Sequence, residues 1–167
     1  TAAVMMLYEE GNFQLDDQVA KFIPELDDLK VCTGMGQTGP TLVDLERPIT
    51  IRHLLTHTGG LSYWHFQDTP VDEMYREADL LNPKNTLKEM MGKLGELPLV
   101  TQPGAAWRYS VSTDVLGHLV EVISGTTFDR FLTERIFEPL GMEDTSFYVP
   151  EHKLDRLAAV YGRGAAS

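Results

Sequence analysis

The stretch from Ser112 to Ile123 constrains the fold most. Val115, Leu119, Val122 and Ile123 recur at helical spacing, and Ser124-Gly125 closes the run. An amphipathic helix of this kind must lay its apolar face on other elements, so it marks the centre of a core. The approach to it is equally marked: Gln102-Pro103-Gly104-Ala105-Ala106-Trp107-Arg108-Tyr109-Ser110-Val111-Ser112. A Pro-Gly turn brings the chain to an aromatic-basic pair and a Tyr-Ser pair directly before the helix. A tyrosine so placed is either a core aromatic or a phenol held rigid at the edge of a cleft.

Helices dominate the rest of the chain. Ala2, Ala3, Met5, Met6 and Leu7 form an apolar helical run that stops at Gly11-Asn12. Asp16 is placed to cap a short helix with Val19, Phe22 and Ile23 on one face. Residues 33–40 read as loop, and Leu42 to Ile49 holds one or two short strands. Thr50 caps a helix over Ile51 to His57, which Gly59 or Gly60 ends. A wrapping loop with one short helix follows over 62–85. Helices are predicted over Thr86–Leu97 and over Phe128–Ile136, the latter capped by Thr126 or Thr127. Pro139-Leu140-Gly141-Met142 is a turn, Thr145 to Val149 is extended, and the tail from Leu154 is ambiguous. There are no internal repeats and no clear linker.

Composition narrows the function classes. Hydrophobic residues make up 43% and charged residues 23% of the 167, an ordinary globular mix. The formal net charge is −11, from 25 acidic and 14 basic side chains. Such a surface repels phosphate backbones, which argues against a nucleic-acid partner. No apolar run approaches the ~20 residues that cross a bilayer, which argues against a membrane span. The opening residues lack a basic region and do not read as a signal peptide. Thr1 in place of a starting Met suggests a fragment or a processed chain. A cytoplasmic location is the expectation, or a periplasmic one if a signal peptide precedes the chain. Cys32 is the single cysteine, so an internal disulfide is excluded; its neighbours form no catalytic signature, and it reads as a buried or loop thiol.

The second marked stretch is His53-Leu54-Leu55-Thr56-His57-Thr58-Gly59-Gly60-Leu61. Together with the segment around Tyr109 it resembles the serine β-lactamase and penicillin-binding-protein superfamily. The likeness is to class C β-lactamases and family VIII carboxylesterases, and it runs from the opening helix to Thr145-Ser146. The resemblance implies that Tyr109 is the proton carrier for a serine nucleophile, with Trp107, Ser110 and Val111 contacting substrate. It implies the helical region of the β-lactamase/transpeptidase-like α/β fold, a mainly α chain with few short strands. It further implies acyl transfer through a serine acyl-enzyme, with neither metal nor organic cofactor.

Three departures from the family pattern bear on that reading. The tyrosine motif is often Tyr-x-Asn, but its third position here is Val111, which tilts the expectation from β-lactams toward small carboxylic esters. The nucleophile's Ser-x-x-Lys puts hydroxyl and amine on one helical turn. The residues three before Lys21, Lys30, Lys84, Lys88, Lys93 and Lys153 are Gln18, Asp27, Leu81, Asn85, Met90 and Pro150. None is a serine. His57-Thr58-Gly59 has the letters of the family's third motif but precedes Tyr109 and reads as a helix stop. The expectation is one helical region, 1–167, of a larger serine-hydrolase domain. Its nucleophile lies before Thr1, and its sheet strands and third motif lie after Ser167. Such a chain alone is expected to be inactive, and to self-associate or pair with the rest of its fold.

Other readings remain open. His53 and His57, spaced i,i+4, with His65 nearby, could chelate a metal or serve packing and capping. His118 and His152 look like surface positions. Trp64, His65 and Phe66 either border a substrate cleft or fill the core. A noncatalytic helical binding module of the same fold is the alternative to an esterase, and a β-lactamase or penicillin-binding-type peptidase is the alternative within enzymes.

Overall fold

A computed structural model of the protein describes residues 1–161. The chain opens with helix α1, Ala2–Glu9, which buries Ala3, Val4 and Leu7 on one face. Gly11, at φ 81°, and the Asn12 side chain, donating to the Leu7 carbonyl at 3.1 Å, end it as expected. The short helix expected after Asp16 is a single 3-10 turn, Val19–Lys21. Asp16 does not cap it: its carboxylate pairs with Arg52 at 2.7 Å instead. The apolar face still holds, because Val19 and Ile23 are fully buried.

The loop expected over 33–40 is an antiparallel hairpin of strands β1, Lys30–Gly36, and β2, Gly39–Asp44. Lys30 faces Asp44 and Cys32 faces Leu42, with a bulge between Cys32 and Gly34. Only Val31 is buried along the ribbon, so no alternation of polar and apolar residues marks it. Cys32 is half-buried on β1. Leu99 extends this small sheet: its N–H donates to the Lys30 carbonyl at 2.8 Å and its carbonyl accepts from Cys32 at 2.9 Å.

Three helix starts follow from their sequence caps. Helix α2, Ile51–Leu55, begins at Thr50, whose hydroxyl accepts from the His53 N–H. Helix α3, Pro70–Glu77, begins at Thr69 and carries a reciprocal box with Asp72. Helix α4, Leu87–Leu94, begins at Thr86 with a box to Glu89. Each box satisfies two N–H groups the helix itself cannot. Helix α2 does not run to Gly59. It closes at Thr56, and His57 takes the left-handed conformation at φ 54°, the position a glycine usually fills.

Helix α5, Ser112–Ser124, is the hub, packing against α1, α2, α4 and the following α6, Phe128–Leu132. Its buried face carries Val115, Leu116, Leu119 and Val120; Val122, expected inside, is exposed. Full burial of one such side chain contributes about 1.5–3 kcal/mol. Gly117 lets α4 and α6 come close, since a Cβ there would meet Leu87 and Phe128 within 3.5 Å. Gly125, at φ 70°, caps α5. His118, expected at the surface, is buried on α5, where Glu121 accepts its Nδ1–H at 3.1 Å. The predicted helix over 128–136 widens after Leu132 into a π turn, Thr133–Phe137.

Thr145 to Val149 forms no strand. A 3-10 turn, Glu151–Arg156, follows, and Phe147, Tyr148, Leu154 and Leu157 remain exposed. The end of the tail, 162–167, lies outside the described residues. Among the described residues the regular structure is mainly α, with one two-stranded hairpin.

Candidate active site

The two stretches that stand out in the sequence are stitched together side by side. The Gly60 carbonyl accepts from Val100 at 2.8 Å, and the Thr58 carbonyl accepts from Gly104 at 2.7 Å. His57 accepts from Arg108 at 2.9 Å and Ser62 from Val111 at 3.1 Å. Glycine is required at two of these seams. Gly60 has φ 82°, and a Cβ on it would overlap the Thr101 carbonyl. Gly104 has φ 83°, and a Cβ on it would press the His53 ring at 3.2 Å.

Tyr109 stands in the last seam, between the bonds made by Arg108 and Val111. Its side chain is 46% exposed, and that of Trp107 is 68% exposed. The Tyr109 ring lies 4.9 Å from that of His57, tilted by 32°, and 5.8 Å from that of Tyr63. Trp107 meets the His57 ring edge-on at 6.4 Å. Two rings thus flank the phenol of a residue that stays largely exposed. Ser110 and Val111 turn the other way, and both are buried. The Ser110 hydroxyl lies 3.3 Å from His57 Nδ1 and 2.7 Å from the Ser112 hydroxyl. Val111 stands at the N-cap of α5. Of the four residues singled out from sequence, Trp107 and Tyr109 share the surface, and Ser110 and Val111 support it from within.

The histidines serve the scaffold. His53 Nδ1 accepts from the Thr50 N–H at 3.2 Å, completing the α2 cap. Among the described residues no three His, Cys, Asp or Glu side chains gather as a metal-ligand set, so His53, His57 and His65 do not assemble one. Burial holds both His53 and His57 below the ordinary imidazole value of 6.5, and Arg47 adds to this at His53. Protonation therefore costs more in the folded state, and protonation at His53 Nδ1 also breaks the cap. The stabilisation is complete above the unfolded value and is lost as pH falls through the folded one. The melting temperature of the protein should fall as the pH drops below about 6.5. His53→Gln keeps an acceptor at this position without titrating, so it should flatten the fall. An unchanged slope in that variant would show that the cap is not its source.

Sequence reasoning gave no role to the group beneath Tyr109. Asp72, in the first turn of α3, is 0% exposed, and Arg108 is 18% exposed. Arg108 Nη2 donates to both Asp72 oxygens at 3.1 Å and to Asp68 at 2.5 Å. Its Nε donates to the Ser62 hydroxyl at 2.9 Å, and that hydroxyl donates to Asp72. Asp72 also accepts from the N–H groups of Asp68 and Thr69 at 3.0 and 2.9 Å. Burial would raise its carboxyl, but these donors outweigh it and hold Asp72 below the usual range. The Phe66 ring stacks on the Arg108 guanidinium at 4.9 Å. Trp64 and Phe66 themselves are partly exposed, Phe66 beside Tyr63 and Trp64 beside His65, rather than in the core.

Comparison with known proteins places the chain among esterases and acyltransferases it resembles. A lovastatin esterase of Penicillium rubens is 37% identical over 149 residues, covering 89% of this chain and 37% of its own length. Esterase EstB of Burkholderia gladioli is 33% identical, over 97% of this chain and 38% of its own length. The chain thus spans well under half the length of these relatives. Among solved structures, the hydrolase EstCE1, described as having promiscuous acyltransferase activity, superposes with a TM-score of 0.70 at 30% identity, over 90% of this chain and 37% of its own. Unliganded simvastatin synthase (LovD) from Aspergillus terreus superposes with a TM-score of 0.67 at 34% identity, over 83% of this chain and 34% of its own. The family description "Beta-lactamase" matches residues 1–167. With the fold, the two stitched motifs and these relatives in agreement, the chain belongs to the beta-lactamase family.

Proposed function

We propose that this chain is the helical region of a serine hydrolase that cleaves small carboxylic esters through an acyl-enzyme, with Tyr109 as its proton carrier. The observation that carries the reading is the exposed Tyr109 side chain, whose ring packs against both His57 at 4.9 Å and Tyr63 at 5.8 Å. In the reaction, a serine oxygen attacks the ester carbonyl and gives its proton to the tyrosine oxygen. The same proton passes to the departing alcohol as the C–O bond breaks. Water then attacks the acyl-serine, again losing its proton to the tyrosine, and the serine leaves reprotonated. The serine–lysine pair and the third motif come from parts of the protein outside these 167 residues. No metal or organic cofactor takes part.

Relatives named as esterases and acyltransferases support acyl transfer over other chemistries. Val111 in the third motif position, buried and without an amide, favours esters over β-lactams or peptides. Trp107, the most exposed of the aromatics beside Tyr109, is the substrate contact, with Ser110 and Val111 setting the backbone beneath it. The full-length protein is expected to hydrolyse p-nitrophenyl acetate and butyrate and to take up one equivalent of a serine-directed phosphonate. A folded full-length protein that does neither would leave the noncatalytic binding module as the reading.

A further inference from the structure

We propose that Arg108 is a positioning residue for Tyr109, acting through a clasp with buried Ser62 and Asp72 and exposed Asp68. This rests on the reading of Tyr109 as proton carrier. Three observations carry it. The first is adjacency: the Arg108 N–H bond to His57 and the Val111 N–H bond to Ser62 bracket Tyr109, so any movement of the Arg108 backbone moves the phenol. The second is convergence. One guanidinium ties together the segment after Gly60, through Ser62, the loop before α3, through Asp68, and the first turn of α3, through Asp72. The third is the ring stack. Phe66 lies on the guanidinium, Tyr63 lies 6.5 Å from Phe66, and Tyr63 is itself one of the two rings that flank Tyr109.

A buried ion pair adds little net stability against an apolar replacement, because desolvation offsets its attraction. What it supplies here is geometry. The planar guanidinium meets acceptors in fixed directions and so sets the angle between α3 and the Tyr109 segment. A proton carrier must stand about 3 Å from the oxygen it serves, and a misplacement of about 1 Å costs about 100-fold.

The test is a double-mutant cycle in the full-length enzyme, read on p-nitrophenyl butyrate. Arg108→Lys keeps the charge and loses the fork; it should lower kcat about 10- to 100-fold with KM changed less than about threefold. In a Tyr109→Phe background the same change should cost less than about twofold, because there is no proton carrier left to misplace. Losses that multiply in full, or no loss in the first background, would overturn the clasp. Should Arg108→Lys fail to fold, Asp68→Asn removes only the exposed arm. It should give a smaller loss, about three- to tenfold, with the same dependence on Tyr109. Near-normal turnover in Tyr109→Phe alone would instead overturn the parent reading, so the two failures are distinct.

Discussion

The 167-residue chain by itself is expected to show no ester hydrolysis above the solvent background. None of its lysines has a serine three residues before it, so no helical turn of this chain presents hydroxyl and amine together. Loss of a serine nucleophile typically costs about 10⁶-fold in turnover. The measurement is a side-by-side assay of this chain and the full-length protein on p-nitrophenyl butyrate, with phosphonate labelling followed by mass spectrometry. Stoichiometric labelling of a serine in the isolated chain would defeat the expectation. The exposed apolar side chains near the end, Phe147, Tyr148, Leu154 and Leu157, also favour association of the isolated chain.

How much of this was legible depended on whether the controlling interaction was local. Thr69 with Asp72 and Thr86 with Glu89 are capping pairs three residues apart, and a helix start follows from them directly. The α5 face was legible for Val115 and Leu119, but its exact rotation was set by four neighbouring helices. They leave Val122 outside and draw His118 in. The β1–β2 hairpin was illegible because Gly34, Gly36, Gly39 and Pro40 read as breakers. Its order comes from cross-strand bonds and the Lys30–Asp44 pair, with no buried face to leave a period-two pattern. The stop of α2 was misplaced for a related reason. Gly59 and Gly60 look like a cap, yet Gly60 is needed for close approach to Thr101, and His57 takes the left-handed turn.

The site divided along the same line. Tyr109 and Trp107 stand out in the sequence because a Pro-Gly turn, an aromatic and a helix start lie within a few residues of one another. Arg108 stood in the same stretch, but its partner Asp72 is 36 residues away and reads, locally, as an ordinary acid in the first turn of α3. Nothing in its own neighbourhood marks it as buried. His57, read as part of a helix stop, proves to be the ring against which Tyr109 rests.

In the full-length enzyme, Tyr109→Phe is expected to lower kcat by about 10²- to 10⁴-fold with the fold intact. The substitution keeps the ring, and so keeps its contacts with His57 and Tyr63. What it removes is one oxygen of a residue that is 46% exposed, so the folded state gives up little. If the residue only packed, the loss would be a hydrogen bond's worth, about 1 kcal/mol or roughly fivefold. The two readings therefore differ by at least an order of magnitude in rate. Ser110→Ala separates them further. Its hydroxyl is buried against His57 and Ser112, one layer behind the phenol, so it should cost only about threefold, through looser positioning. Steady-state kinetics with both variants, alongside their melting temperatures, decides the matter. Tyr109→Phe with near wild-type kcat would remove the proton carrier from the mechanism, and with it the case for acyl transfer at this face.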